Sequence, residues 1–251
     1  MIVGKIEKIL CALLRFFLPI NVRSIKGALW FLISRFSVFF LTLIIFFSIV
    51  PVPYSAYMIE KKVTSLWDNK TYNIQYQWVN LENIAWQMQM AAIASEDQRF
   101  KEHYGIDFNA IQSALNHNQQ SQKIRGASTI SQQMVKNLFL WSDRSWIRKA
   151  MEIPLTFGVE AIWDKRRILE VYLNIAEFGN GIFGVEAASL RFFKKHANQL
   201  NIKEATLLAA SLPNPHIFKV NKPGKIMRKK QRWIIKQIRN LGATEYLNQL
   251  K

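Results

Sequence analysis

The chain has 251 residues, half of them hydrophobic, with 34 basic against 17 acidic side chains and a formal net charge of +17. This length suits one globular domain plus an additional segment, and the charge calls for an anionic partner: nucleic acid, an acidic membrane surface or a phosphorylated substrate. The single cysteine, Cys11, excludes an intrachain disulfide and a cysteine-based zinc site, and His103, His117, His196 and His216 lack the HExxH or HxH spacing of a histidine metal centre.

Lys5, Lys8, Arg15, Arg23, Lys26 and Arg35 face Glu7 alone in the first 35 residues. From Phe36 to Val52 the sequence FSVFFLTLIIFFSIVPV is uncharged, and the uncharged run continues to Ile59; apolar GALWFLIS lies upstream of Arg35. Either frame supplies about twenty residues, enough to cross a bilayer core. The expected division is a basic cytoplasmic segment at 1–35 and a transmembrane helix at 36–58, oriented by the positive-inside rule. The apolar run is too long for an ordinary signal-peptide core and lacks a clean small-x-small site. KIEKILCALLRFFL reads equally as a short interfacial helix or as a tail. Pro51, Pro53, Tyr54 and Tyr57 look like an interfacial exit. The body then lies on the outer side of the membrane, which in a bacterium is the periplasm or cell-wall space.

A polar juxtamembrane connection is expected at 59–79, with room for short β pieces near 71–79. Helical periodicity dominates residues 80–251. LENIAWQMQMAAIAS puts Leu81, Ile84, Met88, Ala91 and Ser95 on one stripe, and DFNAIQSALNHN repeats Phe108, Ile111 and Leu115. STISQQMVKNLFL opens on Ser128 or Thr129 as an N-cap. RSWIRKAMEIPLTFGVEAIW, KRRILEVYLNIAEF, VEAASLRFF, KEATLLAASL and KQRWIIKQIRNL complete the amphipathic runs. The expected architecture is mainly α, with a groove between helices, tethered by one N-terminal transmembrane helix.

Three stretches carry candidate chemistry. Glu96 ends an apolar helical run in ASEDQRFKEHYGID. Desolvation there disfavours a carboxylate, and a helix C-terminus acts in the same direction, which suits an acid or base near neutral pH. Asp97 is placed to cap the next segment or to hold Glu96; His103 orients the loop, and Gly105 supplies a turn. KIRGASTISQQMVKN then offers Ser128, Gln132, Gln133, Lys136 and Asn137 as polar groups able to bind sugar hydroxyls or phosphate oxygens. WSDRSWIRKAMEIPL adds Arg144, Arg148, Lys149 and Glu152. Glu152 lies four residues after Arg148 and three after Lys149, the spacing of either a surface ion pair or a second carboxylate held beside cations that grip a polyanion. Two carboxylates among many cations favour group transfer from a phosphorylated sugar. Hydrolysis of a sugar–sugar bond needs an acid more than it needs cations.

EDQRFKEHYG, GASTISQQMVKN, RKAME, KRRILEVYLN and GIFGVEAASLRFF occur in this order and at fitting spacings. Together they resemble the five motifs of the bacterial peptidoglycan glycosyltransferases, glycosyltransferase family 51, over roughly residues 80–224. No transpeptidase domain is expected after them, so the resemblance is to monofunctional members of Gram-negative type. It implies a lysozyme-like helical fold, inner-membrane attachment, lipid II and the growing glycan strand as substrates, and partners among cell-wall synthesis and division proteins, with no nucleic acid. By that pattern Glu96 is the general base toward the GlcNAc 4-hydroxyl, and Glu152 is the second carboxylate, assisting the donor side. Lys136 and Arg144 lie near the donor diphosphate, with Arg148 and Lys149 adding to the field, while Asp97, Ser128, Gln132, Gln133 and Asn137 line the site. Glu170 and Asn174 brace the fold rather than react, and Lys165 does either. No cofactor is required, with a divalent cation (Mg or Mn) as an option. The rival readings are a glycan-cleaving lytic enzyme on a similar fold and a non-enzymatic membrane or nucleic-acid binder. The family often has YFGK where this chain has Phe192, Phe193, Lys194 and Lys195. From that replacement, no left-handed backbone is expected at Lys194.

Overall fold

The structure, a computed structural model, describes residues 25–68, 71–120, 126–143 and 145–250. The chain divides into two compact units, 1–50 and 51–251. In the first, helix α1 runs Ile25–Phe47. Its stretch Leu29–Phe47 is long and apolar enough to cross a membrane by length and composition, spanning roughly 28 Å at the α-helical rise. The Arg35 guanidinium lies 5.0 Å over the Phe31 ring, a contact that softens a charge on an apolar helix. The span expected at 36–58 therefore differs at both ends: the helix begins earlier and stops before Pro51 and Pro53, which cannot continue it.

The stretch expected as a polar juxtamembrane connection belongs to the second unit. Helix α2, Ala56–Trp67, starts at Ser55, whose hydroxyl accepts from the Met58 amide at 3.2 Å. Tyr57 and Tyr72 donate to the buried Glu177 at 2.9 and 3.1 Å, and Tyr76 donates to the Val52 carbonyl. Glu60 accepts from the Ser142 amide at 2.8 Å. None of these bonds is visible in the local sequence, because the partners are distant in the chain.

The body of the unit contains α3 (Trp86–Glu96), α4 (Phe108–Gln120), α5 (Ile130–Phe139), α6 (Trp146–Ile162) and α7 (Lys165–Ile175). After them come α8 (Val185–Phe193), α9 (Ile202–Ser211), α10 (Lys225–Asn240) and α11 (Thr244–Asn248). Residues 88–94 of α3 are apolar apart from Gln89, and so continuous an apolar stretch has to be buried. Met88 and all of Met90 to Ala94 are fully enclosed, with α9, α10 and α11 packed around them. Its buried Gln89 amide is satisfied by the Leu81 and Ile84 carbonyls at 3.1 and 2.8 Å. Helix α5 packs against α2, α6 and α7. It opens with a capping box: Thr129 accepts from the Gln132 amide and Gln132 from the Thr129 amide, both at 3.2 Å. Of the two N-cap candidates, the structure selects Thr129.

A small sheet of order β1-β3-β2 joins Gln75–Tyr76 (β1), Glu177–Gly179 (β2) and Ile182–Phe183 (β3). β1 falls within the expected 71–79, but the helical run read through AEF ends at Ile175. Glycines explain the change. Gly181 and Gly184 have φ +75 and +81, and a Cβ on Gly184 would lie 2.5 Å from the Asn174 carbonyl oxygen. Asn174 and Glu170 brace the fold as expected. Asn174 bonds both the amide and carbonyl of Val79 at 2.9 and 2.8 Å, and Glu170 accepts from the Leu81 amide at 2.9 Å.

One expectation is overturned at the end of α8. Lys194 has φ 59 and ψ 35, a left-handed conformation. The helix still needs that turn at its C-terminus, and here a lysine takes it without a glycine's freedom.

Candidate active site

Glu96 is the last residue of α3, and its side chain is 11% exposed. One oxygen, Oε1, accepts from the Ser95 hydroxyl at 2.7 Å and from the Lys230 ammonium at 3.2 Å; the other, Oε2, accepts from the Gln133 amide at 3.2 Å. The Gln133 carbonyl oxygen accepts in turn from the Tyr172 hydroxyl at 3.1 Å. Burial pushes the Tyr172 phenol well above its ordinary value, with the Glu96 and Asp97 charges adding, so it remains a neutral donor. The carboxylate is enclosed at this helix end, and a cation and two neutral donors hold it.

Asp97 caps α3, and its side chain is 3% exposed. Its carboxylate accepts from the Ile130 amide at 3.0 Å and meets His103 Nε2 at 2.9 Å. Its acceptor capacity therefore goes to the framework: it ends α3, begins α5 and fixes the loop that His103 orients. Gly105, at φ +84, makes the expected turn, and its carbonyl accepts from the Thr129 hydroxyl at 2.6 Å. Behind this loop the Lys165 ammonium donates to the His103 carbonyl at 2.6 Å and to Glu160 at 2.8 Å. Burial lowers the Lys165 pKa, against the opposing pull of Glu160. Of its two expected roles, the structure shows the bracing one.

Glu152, on α6, is 3% exposed and ion-paired with Arg148 at 2.6 Å and with Lys149. This is not a surface pair: the carboxylate is enclosed, and each oxygen meets a cation. One cleft of about 860 Å³ is lined by Glu96, Ser128, Gln132, Gln133, Lys136, Arg148, Lys149 and Glu152. Gln132 lends its side chain to the capping box, so it supports this wall more than it offers free donors. Asn137 lines an adjoining cleft of about 270 Å³ that also includes Gln133 and Lys136. A third cleft, about 440 Å³, shares Glu96 and Ser128 but is otherwise walled by groups such as Asp97, Arg99, Asn109, Trp233 and Gln237. Glu96 thus belongs to two clefts, one rich in cations and one not. Arg144 lies outside the described residues.

The donor set does not suit a divalent cation at Glu152, because both its oxygens are engaged by cations. Among the described residues no group of three or more His, Cys, Asp or Glu side chains is placed to hold one. On α4, Phe108 and Leu115 are 71% and 54% exposed while Ala114 is buried.

Sequence reasoning missed three members of the site. Ser95 stood beside Glu96 and was read only as part of a stripe. Tyr172 was hidden in a helix read as structural. Lys230 is 134 positions from Glu96, and only the basic amphipathic pattern of its helix hinted at a role.

A family model described as Transglycosylase matches residues 61–239. A biosynthetic peptidoglycan transglycosylase of Haemophilus influenzae is 60% identical over 217 residues, covering 86% of this chain and 87% of its own. One from Pasteurella multocida is 56% identical over 229 residues, covering 91% and 93%. One from Yersinia pseudotuberculosis is 50% identical over 236 residues, covering 92% and 98%.

Proposed function

The chain belongs to the transglycosylase family and is a peptidoglycan glycosyltransferase; from that premise we propose how its residues lengthen a glycan strand. The growing strand, still on its lipid diphosphate, is the donor, and lipid II is the acceptor. Glu96 takes the proton of the GlcNAc 4-hydroxyl. The acceptor oxygen bonds to the donor's anomeric carbon as the bond to the diphosphate breaks, and the electron pair leaves with the diphosphate. Direct displacement inverts an α diphosphate into a β-1,4 link.

The leaving group is an anion, so it needs cations and no proton. Lys136, Arg148 and Lys149, with Arg144, supply them. Glu152 keeps Arg148 and Lys149 aimed, because charge-assisted bonds fix direction as well as adding energy. The observation that carries this reading is the single cleft shared by Glu96, Lys136 and the Arg148–Lys149–Glu152 cluster. A glycan-cleaving enzyme would need the carboxyl group but not the cation cluster.

Helix α1 fits a single-pass anchor. With it in the bacterial inner membrane, residues before it are cytoplasmic and residues from Pro51 onward face the periplasm. This placement keeps the cleft near lipid-borne substrates.

The deciding experiment incubates the detergent-solubilised chain with lipid II and, separately, with finished glycan. Polymer from lipid II and intact finished glycan are expected; cleavage of the glycan would overturn the reading. Glu96→Gln is expected to fold normally and to lose about 10²–10⁴-fold in polymerisation, the contribution of a positioned base.

A further inference from the structure

Helix α10 lies outside the five motifs quoted above, and its basic amphipathic run only added to the resemblance, yet it delivers a cation to the proposed base. Its rotation is fixed by a buried stripe, Met227, Gln231, Ile234 and Ile238, repeating at the helical period. The Gln231 side-chain amide donates a hydrogen bond to the Lys203 carbonyl at 2.7 Å. With that stripe turned into the core, Lys230 reaches Glu96, and Trp233 and Gln237 line the third cleft. The spacing of three and seven places these two on the face Lys230 occupies.

We infer that α10 completes the catalytic centre and that Lys230 is a positioning residue for the base, selecting which carboxylate oxygen receives the proton. This rests on Glu96 being the base. A carboxylate oxygen accepts about two hydrogen bonds in its plane. Oε1 is filled by Ser95 and Lys230, whereas Oε2 is bonded by Gln133 alone. The open acceptor position is therefore on Oε2. The acceptor hydroxyl gives its proton there, its oxygen bonds to the anomeric carbon, and the diphosphate leaves with the electron pair of the broken bond. Lys230 does not touch the reacting atoms. By tying down Oε1 it stops the carboxylate from rotating.

The test measures lipid II polymerisation by the full-length, detergent-solubilised chain carrying Lys230→Met or Lys230→Arg. In Lys230→Met, kcat is expected to fall about tenfold, the size of a lost charged hydrogen bond, while KM for lipid II stays within about twofold. Lys230→Arg is expected to recover most of the loss, since it restores a charged donor. The pair is partly exposed, at 26% for the lysine side chain, so both variants are expected to melt within a few degrees of the parent. Wild-type kcat in Lys230→Met, or an equal loss in Lys230→Arg, would overturn the inference. If Lys230→Met fails to fold, Lys230→Gln against Lys230→Arg gives the same comparison. Glu96→Gln measured in parallel separates the two failures. An active Glu96→Gln removes the base itself, whereas an inactive one beside a fully active Lys230→Met removes only the role of Lys230.

Discussion

Asp97 and Ile130 are joined by one hydrogen bond, 3.0 Å from carboxylate to backbone amide. Through it the helix ending in Glu96 is tied to the helix carrying Gln133 and Lys136. Asp97→Ala removes this cap and leaves His103 without its carboxylate. A stability loss of about 2–3 kcal/mol is expected in a urea titration, a cap plus a buried charged bond. Asp97→Asn keeps one acceptor and should lose less than half as much.

The Arg148–Lys149–Glu152 cluster makes a prediction that depends on order. Arg148→Ala leaves Glu152 with Lys149 and should cost about 1–2 kcal/mol of stability. Removing both cations strands an enclosed carboxylate and should cost about 3–5 kcal/mol. Adding Glu152→Gln to that double variant should recover part of the stability but none of the polymerisation. Melts and lipid II turnover on the same preparations check both halves.

Lys136 lines both the main cleft and the one beside it. Lys136→Ala should slow turnover and weaken a phosphoglycolipid inhibitor such as moenomycin by at least about tenfold, the scale of one charge-assisted bond to phosphate. Calorimetric titration with the inhibitor measures this. An unchanged affinity would place the diphosphate elsewhere.

Several phenols make stability fall in alkali. Burial pushes Tyr246 up to about 12, and burial also raises Tyr57, Tyr72, Tyr76 and Tyr172 above the usual phenol value. In each case the unfolded chain loses its proton first, near pH 10, while the folded chain still holds it. Stability from these groups is complete below pH 10 and is lost as pH rises. Lys165, lowered by burial, works in the opposite direction but is one group against five. Tyr246→Phe should flatten the decline between pH 10 and about 12, as read from denaturant midpoints against pH.

Lys194→Gly should stabilise the chain by about 1 kcal/mol. A left-handed residue with a Cβ costs about 1–2 kcal/mol, and glycine's added freedom in the unfolded chain offsets about 0.4–1 kcal/mol of it. The side chain is exposed and the substitution removes no packing. A denaturant midpoint at or below the parent's would show that Lys194 contributes a contact worth the strain.

The helices and the main site were legible because their signals are local. Apolar period marks α3 and α5, and the spacing of Arg148, Lys149 and Glu152 places them on one turn. The hairpin at 177–183 was not legible, since it is set by Gly181 and Gly184 against backbone from 73 and 174. Asp97 and Gln132 looked like substrate ligands because nothing in the local sequence says where their acceptors are spent. Tyr57, Tyr72 and Lys230 depend on partners more than 100 positions away.

Glu96 sits at the tip of a helix whose residues 88–94 are all buried, which leaves its backbone little room to move. If Glu96 is the base, as proposed, a stationary carboxylate would put the movement on the polymer: after each transfer the strand would slide forward by one disaccharide past the same group. On that mechanism the buried α3 would be the fixed point against which the growing chain is stepped.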